Sequence, residues 1–353
     1  MTKRLSRARQ FLKGLDAILI YSRSNVSYIS GYTGSDAIFI YTDSHACLFV
    51  DSRNTLQARQ ESSTEVFEIS NRWEEIYEHL NGLGIKTLGI ESNAIDVDSF
   101  IQIKDMFKDI EITPMGKQLV YIRSIKDSDE IVLLKKAAAI SEEALSRVLE
   151  GGIIGRRETD VAFDLECEMK RLGASATSFE LIVASGERSA MPHGSATRRI
   201  IQTGEPVVID FGSVFDGYCS DQTVTIHAGK AGGEFTEVYA HVLKAQKKAI
   251  EALASGAHAS RIDKCARDYL ASAGLGKFFG HGLGHGVGME VHEMPTLSPR
   301  SDDILQKAMV VTVEPGVYLP GKFGIRLEDM VVITDNSCQR ITNIAKEAIQ
   351  VIN

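Results

Sequence analysis

Along the first third of the chain, short blocks of hydrophobic positions are broken by polar ones. Residues 17–21, 37–41 and 46–51 are aliphatic or aromatic runs bounded by turn residues, which predicts strands. Residues 72–80 place Trp73, Ile76, Tyr77 and Leu80 at i, i+3, i+4 and i+7, the spacing of one helix face. A helix over 54–61, a strand over 86–91 and a helical stretch near 99–107 complete an alternation that predicts an α/β layer. The texture changes near residue 125. Arg123-Ser-Ile-Lys-Asp-Ser-Asp-Glu130 is polar, and a long helical pattern follows through Ile131, Leu134, Ala138, Ala144, Leu145, Val148 and Leu149. Ser128 is the expected N-cap, with Asp129 and Glu130 in the first turn favouring the helix dipole. Further helices are predicted over 159–172 and 237–254, and strands over 206–211, 309–313 and 330–334.

Composition narrows the class. A chain of 353 residues suggests two domains, and 44% hydrophobic with 24% charged residues excludes a disordered, collagen-like or coiled-coil protein. The net charge of −8 argues against nucleic acid and against anionic membrane surfaces as partners. No apolar run approaches the ~20 residues of a membrane span. The basic start (Lys3, Arg4, Arg7, Arg9) is not followed by a signal-type apolar region, so a cytoplasmic location is expected. Cys47, Cys167, Cys219, Cys265 and Cys338 are odd in number and contain no C-x-x-C, which reads as thiols in a reducing compartment. Cys219 lies two residues before Asp221 and would share its face in a strand.

Acidic and histidine residues concentrate in four places. Asp210 ends a hydrophobic strand, and a hairpin returning to Asp221 would set two carboxylates side by side, where they repel unless one is protonated or a cation lies between. Asp at strand ends is also common in ordinary turns. Gly280-His-Gly-Leu-Gly-His285-Gly-Val-Gly-Met-Glu-Val-His292 brings three histidines into a glycine-rich stretch that permits close backbone approach to a ligand. Glu314 follows an apolar strand and precedes Pro-Gly, and a carboxylate there needs a counter-charge. Arg326 and Glu328 are expected on one face of a strand, either as a salt bridge or as part of a site. Four carboxylates with imidazole suit hard or borderline divalent ions such as Mn²⁺, Co²⁺ or Zn²⁺. One ion would leave excess negative charge. Two ions balance it, which points to a dinuclear metallohydrolase.

The order Asp, eleven residues on Asp, His in a Gly-rich stretch, Glu-Pro-Gly, then Arg-x-Glu-Asp resembles the pita-bread metallopeptidases, in the branch of aminopeptidase P and prolidase, which cut Xaa-Pro bonds. The likeness covers nearly the whole chain. It implies an α+β architecture: a creatinase-like α/β domain over about 1–124, with Ser30-Gly-Tyr-Thr-Gly-Ser-Asp36 and Val50-Asp-Ser-Arg53 as family features, and a pita-bread catalytic domain from 125 to 353. It implies two divalent ions, Mn²⁺ first and Co²⁺ or Zn²⁺ as alternatives, a peptide substrate with proline in second position, and a homodimer.

By the same resemblance, Asp210 holds one metal, Asp221 and Glu328 bridge both, and His285 and Glu314 complete the second, with Glu314 also acting as base. His193 stands beside the leaving nitrogen, His292 bonds the scissile carbonyl oxygen and His281 lines the proline pocket. Arg326, which orients Glu328, and Arg300, which meets a substrate carboxylate, are placed on the substrate-binding side. Where the family often has arginine after the second aspartate, this chain has Val224, which bears on substrate preference and not on the metal ligands. Three other readings are weighed: a methionine aminopeptidase, which usually lacks the N-terminal domain; a creatinase-type amidinohydrolase, which lacks the metal ligands; and an inactive pita-bread module that binds peptide or protein partners.

Overall fold

The structure is a computed structural model and describes residues 3–346 and 351–352. The chain divides into two compact units, Met1–Arg123 and Ser124–Asn353.

The first unit is built on a six-stranded sheet in the order Glu65–Glu68, Ala46–Val50, Ala37–Thr42, Ala17–Ile20, Thr87–Ile90, Glu111–Pro114. Ala17–Ile20 is buried throughout, as befits a central strand with no polar position. Helix Arg72–Gly82 turns Trp73, Ile76 and Leu80 onto the sheet, where they meet Leu19, Ile38 and Leu88. Helix Arg23–Ser30, which the hydrophobic pattern did not reveal, starts at Ser22, whose side chain caps Asn25 N, and stops at Gly31 with φ +84°. That left-handed backbone is open to glycine without strain.

The second unit carries the chemistry. Its long helix Ser128–Glu150 is capped by Asp127, not by Ser128. Asp127 Oδ1 accepts from the backbone of Asp129 and Glu130, and Glu130 Oε2 accepts in return from Asp127 N, a reciprocal capping box. Helix Gly233–Glu251 begins at Gly233, ahead of the expected 237. It packs on helix Ala259–Ser272, which was not foreseen, through Val242, Ala245, Ile262, Ala266 and Leu270. A four-stranded sheet runs Val351–Ile352, Gln222–Ala228, Pro206–Phe211, Ile182–Ser185, and a five-stranded one Glu293–Leu297, Gly284–Gly286, Val310–Val313, Asp329–Ile333, Cys338–Arg340. A small hairpin pairs Gly316–Leu319 with Phe323–Arg326. Among the described residues no helix is long and apolar enough to cross a membrane, and all five cysteines are free.

One buried ion pair ties down the histidine-bearing loop. Lys126 Nζ donates to Glu293 Oε2 at 3.0 Å, and both side chains are 1% exposed. Glu293 Oε1 accepts from Glu290 N, and Gly288 passes so close that a Cβ there would lie 2.4 Å from the carboxylate. Removing one partner leaves an uncompensated buried charge. Lys126→Met should therefore lower unfolding stability by about 3–5 kcal/mol in urea titration, while Lys126→Arg should retain most of it.

Candidate active site

The site is assembled from strand ends that pairing brings together. Asp210 sits opposite Thr223, because Pro206–Phe211 and Gln222–Ala228 run antiparallel. The chain between does not return directly. It makes a second, smaller hairpin, Ser213–Phe215 with Tyr218–Cys219, before reaching Asp221. Asp221 thus lies outside the Tyr218–Cys219 strand, and Cys219 packs with Leu134, Val287 and Val310, its thiol toward Met289 O at 3.6 Å. The expectation that Cys219 shares the face of Asp221 is corrected on this ground.

His285 occupies the strand Gly284–Gly286, and its two flanking glycines explain how it gets there. A Cβ on Gly284 would stand 2.1 Å from Thr312 O, and one on Gly286 2.3 Å from Met294 O. Only bare backbone fits between these strands. Glu314 follows Val310–Val313, held by its N–H to Leu283 O at 2.8 Å. Glu328 lies between the strands Phe323–Arg326 and Asp329–Ile333, so it does not share a strand face with Arg326 as expected. Its N–H bonds Thr223 O at 3.1 Å and its Oε2 accepts from Thr223 Oγ1 at 2.7 Å.

Side-chain ligand atoms of Asp221, His285 and Glu328 all lie within 4.8 Å of one another. His285 Nδ1 contacts Gly286 O at 3.1 Å, which assigns the proton to Nδ1 and leaves the Nε2 lone pair facing inward. That lone pair stands 3.5 Å from Asp221 Oδ2 and 3.4 Å from Glu314 Oε1. Burial, helped by His292 whose ring lies 4.3 Å away, pushes the His285 imidazole down to about 4, so it is neutral. A neutral nitrogen lone pair aimed at two carboxylates is repulsive unless one of them is protonated or a cation lies between them.

The carboxylates agree. Burial first, then the neighbouring acids, raises Asp221 and Glu328 well above the ordinary carboxylate range; burial, with Asp210 nearby and against Arg326, brings Glu314 up to about 8. Asp210 Oδ1 is buried without a hydrogen-bond partner. Arg326 brings a single positive charge to this group, which leaves four acids under-neutralised wherever they ionise. Divalent cations fit this donor set, which is oxygen-rich with one imidazole.

Arg326 is not presented to a substrate. Only 4% exposed, it works against its own desolvation and is held charged chiefly by Asp210. Nη2 donates to Asp210 Oδ2 at 2.5 Å, Nε to Thr223 Oγ1 at 3.0 Å, and Nη1 to Tyr318 OH at 2.9 Å and Pro192 O at 3.0 Å. Its hydrogen-bonded link to Glu328 runs through the Thr223 hydroxyl. Because the guanidinium fills a lone pair of the Tyr318 oxygen, the phenol proton is directed to His281 Nε2 at 3.0 Å. His281 Nδ1 in turn donates to Gly282 O at 2.7 Å. Both ring nitrogens are spent inside the protein, and His281 offers an apolar ring wall beside Phe279. Tyr318 was missed from sequence, though it stands four residues after Glu314 in the same short segment.

The other expected residues, His292, His193 and Arg300, are all exposed. His292 is exposed just before the strand Glu293–Leu297 and packs on the His285 ring. His193 is exposed in the loop whose Pro192 carbonyl Arg326 holds. Arg300 is exposed in the turn after Glu293–Leu297 and makes no hydrogen bond or ion pair among the described residues.

Residues 132–335 match metallopeptidase family M24, and residues 4–125 match the creatinase/prolidase N-terminal domain. The chain belongs to metallopeptidase family M24. Within M24 it falls in the aminopeptidase P and prolidase branch, an enzyme that hydrolyses peptide bonds with divalent metal ions, on a creatinase-type N-terminal domain followed by a pita-bread domain. It is 36% identical to a Xaa-Pro dipeptidase of Pyrococcus horikoshii, over 99% of both chains. Among solved structures it resembles a Xaa-Pro dipeptidase from Bacillus anthracis, with TM-score 0.95, 35% identity and 99% of each chain covered. It also resembles an X-Pro aminopeptidase from Thermotoga maritima, with TM-score 0.91, 37% identity, 98% of this chain and 100% of that one covered. Membership in M24 and the likeness to Xaa-Pro dipeptidases disfavour the amidinohydrolase and inactive-module readings.

Proposed function

We propose that this M24 enzyme is a Xaa-Pro exopeptidase that hydrolyses the bond before a proline in second position. The observation that carries the reading is the inward-facing His285 Nε2 among four acids, Asp221 and Glu328 buried and Asp210 and Glu314 half-buried, joined to relatives named for Xaa-Pro cleavage. Asp210, Asp221, His285, Glu314 and Glu328 would hold two divalent ions, Mn²⁺ by preference. Bound there, such ions supply Lewis-acid activation of water near neutral pH.

The chain's own groups do the rest. Glu314 takes a proton from the attacking water. His292, with its ring against His285, donates to the carbonyl oxygen as charge develops. His193 meets the nitrogen that leaves. His281, its nitrogens already bonded, gives the pyrrolidine ring an apolar face. A substrate without an amide N–H at that point suits such a wall, whereas Xaa-Ala would bring a donor with nothing to bond. Free thiols throughout the described chain are in keeping with a reducing compartment such as the cytoplasm.

Steady-state kinetics with Mn²⁺ on Ala-Pro and Ala-Ala tests the reading. Burying the extra ring carbons, ~0.8 kcal/mol per methylene, accounts for only about tenfold to twentyfold. Leaving an N–H unpaired in a dry pocket adds ~1–3 kcal/mol. The expected preference for Ala-Pro in kcat/KM is therefore above about a hundredfold, and a ratio near one overturns proline specificity. Running Ala-Pro-Ala alongside separates the two activities: turnover of the dipeptide alone marks a dipeptidase, turnover of both an aminopeptidase.

A further inference from the structure

Away from the acid cluster, one fully buried carboxylate of the second unit has no part in the chemistry above. Glu158 opens the helix Glu158–Arg171 and is 0% exposed. Its Oε1 accepts from Ser185 N at 2.8 Å and from Ser185 Oγ at 2.7 Å. Its Oε2 accepts from Thr197 N at 3.0 Å, Thr197 Oγ1 at 2.7 Å and Arg188 Nε at 3.1 Å. Burial would push this carboxyl up, but the hydrogen bonds from Ser185 and Thr197 outweigh it and hold the group below its ordinary range.

These bonds close the base of a loop. One oxygen takes residue 185 and the other takes residue 197, and His193 rides on the chain between them. The loop is tied again above its base. Arg188 Nη2 donates to Ser195 O at 2.5 Å, Gly324 N donates to Ser189 Oγ at 2.8 Å, and Arg326 Nη1 holds Pro192 O. The His193 ring itself has no hydrogen bond among the described residues and is exposed. Its direction is therefore set by the loop backbone, and the loop backbone closes on Glu158.

We propose that Glu158 is a positioning residue for His193, clasping residues 185 and 197 so that the imidazole is held for the leaving nitrogen. The inference rests on the role given to His193 above. A neutral amide has one acceptor oxygen in place of two, so Glu158→Gln cannot hold both ends of the loop.

A double-mutant cycle on the Mn²⁺-loaded enzyme with Ala-Pro tests this. Glu158→Gln should lose about tenfold to a hundredfold in kcat/KM, with bound manganese per chain unchanged. The same substitution in a His193→Ala background should cost less than about twofold, because the group it aims is gone. Additive losses in the double variant overturn the proposal and leave the role of His193 standing. Wild-type efficiency in His193→Ala alone removes both. If Glu158→Gln does not fold, Thr197→Val carries the cycle: it deletes one of the five bonds and should lose several-fold efficiency only where His193 is present.

Discussion

Replacing Asp221 by asparagine should abolish turnover while leaving the chain folded. Asp221 is 5% exposed and lies among Glu328, Asp210 and Glu314, so its own negative charge is opposed first by burial and then by each neighbour. A group whose folded-state pKa is raised costs stability when it ionises. Without metal, removing that charge should leave the melting temperature unchanged or higher at pH 7. With metal, the sign reverses. The carboxylate supplies charge that a divalent ion needs, and stabilisation by Mn²⁺ follows RT ln(1 + [L]/Kd). Asp221→Asn should therefore lose most of the thermal shift that Mn²⁺ gives the wild type. It should also retain fewer ions per chain by mass-spectrometric metal analysis. Partners that merely support a ligand cost about 10–100-fold, so losing a ligand itself should exceed ~10³-fold in kcat. Two ions per chain with normal turnover in this variant would take Asp221 out of the metal site.

What was legible from sequence and what was not divide along a physical line. Asp210, Glu314 and the Gly-flanked His285 announce themselves locally, because each sits at the end of an apolar run or between glycines that let neighbouring strands approach closely. Strands such as Ala37–Thr42 and helices such as Arg72–Gly82 follow from periodicity for the same reason: neighbours in sequence decide them. Arg326 was expected beside Glu328 and is in fact spent on Asp210, 116 residues earlier in the chain. No local pattern carries such a pairing. Glu158 looks like any acid in a first helical turn, and its partners lie 27 to 39 residues ahead. The cap at Asp127 rather than Ser128 is a choice between adjacent residues, which only the reciprocal bond with Glu130 decides. The small hairpin before Asp221 was hidden because its strands are two and three residues long, too short to show a period.

Changing His292 to alanine should separate catalysis from metal binding. The His292 ring packs on His285 at 4.3 Å but stands outside the group of ligand atoms formed by Asp221, His285 and Glu328. Its exposure leaves it free to meet a substrate, whereas His281 has both nitrogens bonded within the protein. If His292 donates to the carbonyl oxygen as negative charge builds there, the interaction strengthens between ground state and transition state. Its loss then falls on kcat. Removing one such donor typically costs about 10²–10³ in kcat, or roughly 3–4 kcal/mol of barrier. His292→Ala should show that drop with two ions still bound and KM for Ala-Pro little changed, since an interaction made mainly in the transition state contributes little to substrate affinity. His292→Gln, which keeps a donor of similar reach, should recover part of the rate. The opposite pattern, metal lost and the rate per metallated enzyme unchanged, would make His292 a support for His285 and transfer the oxyanion role elsewhere.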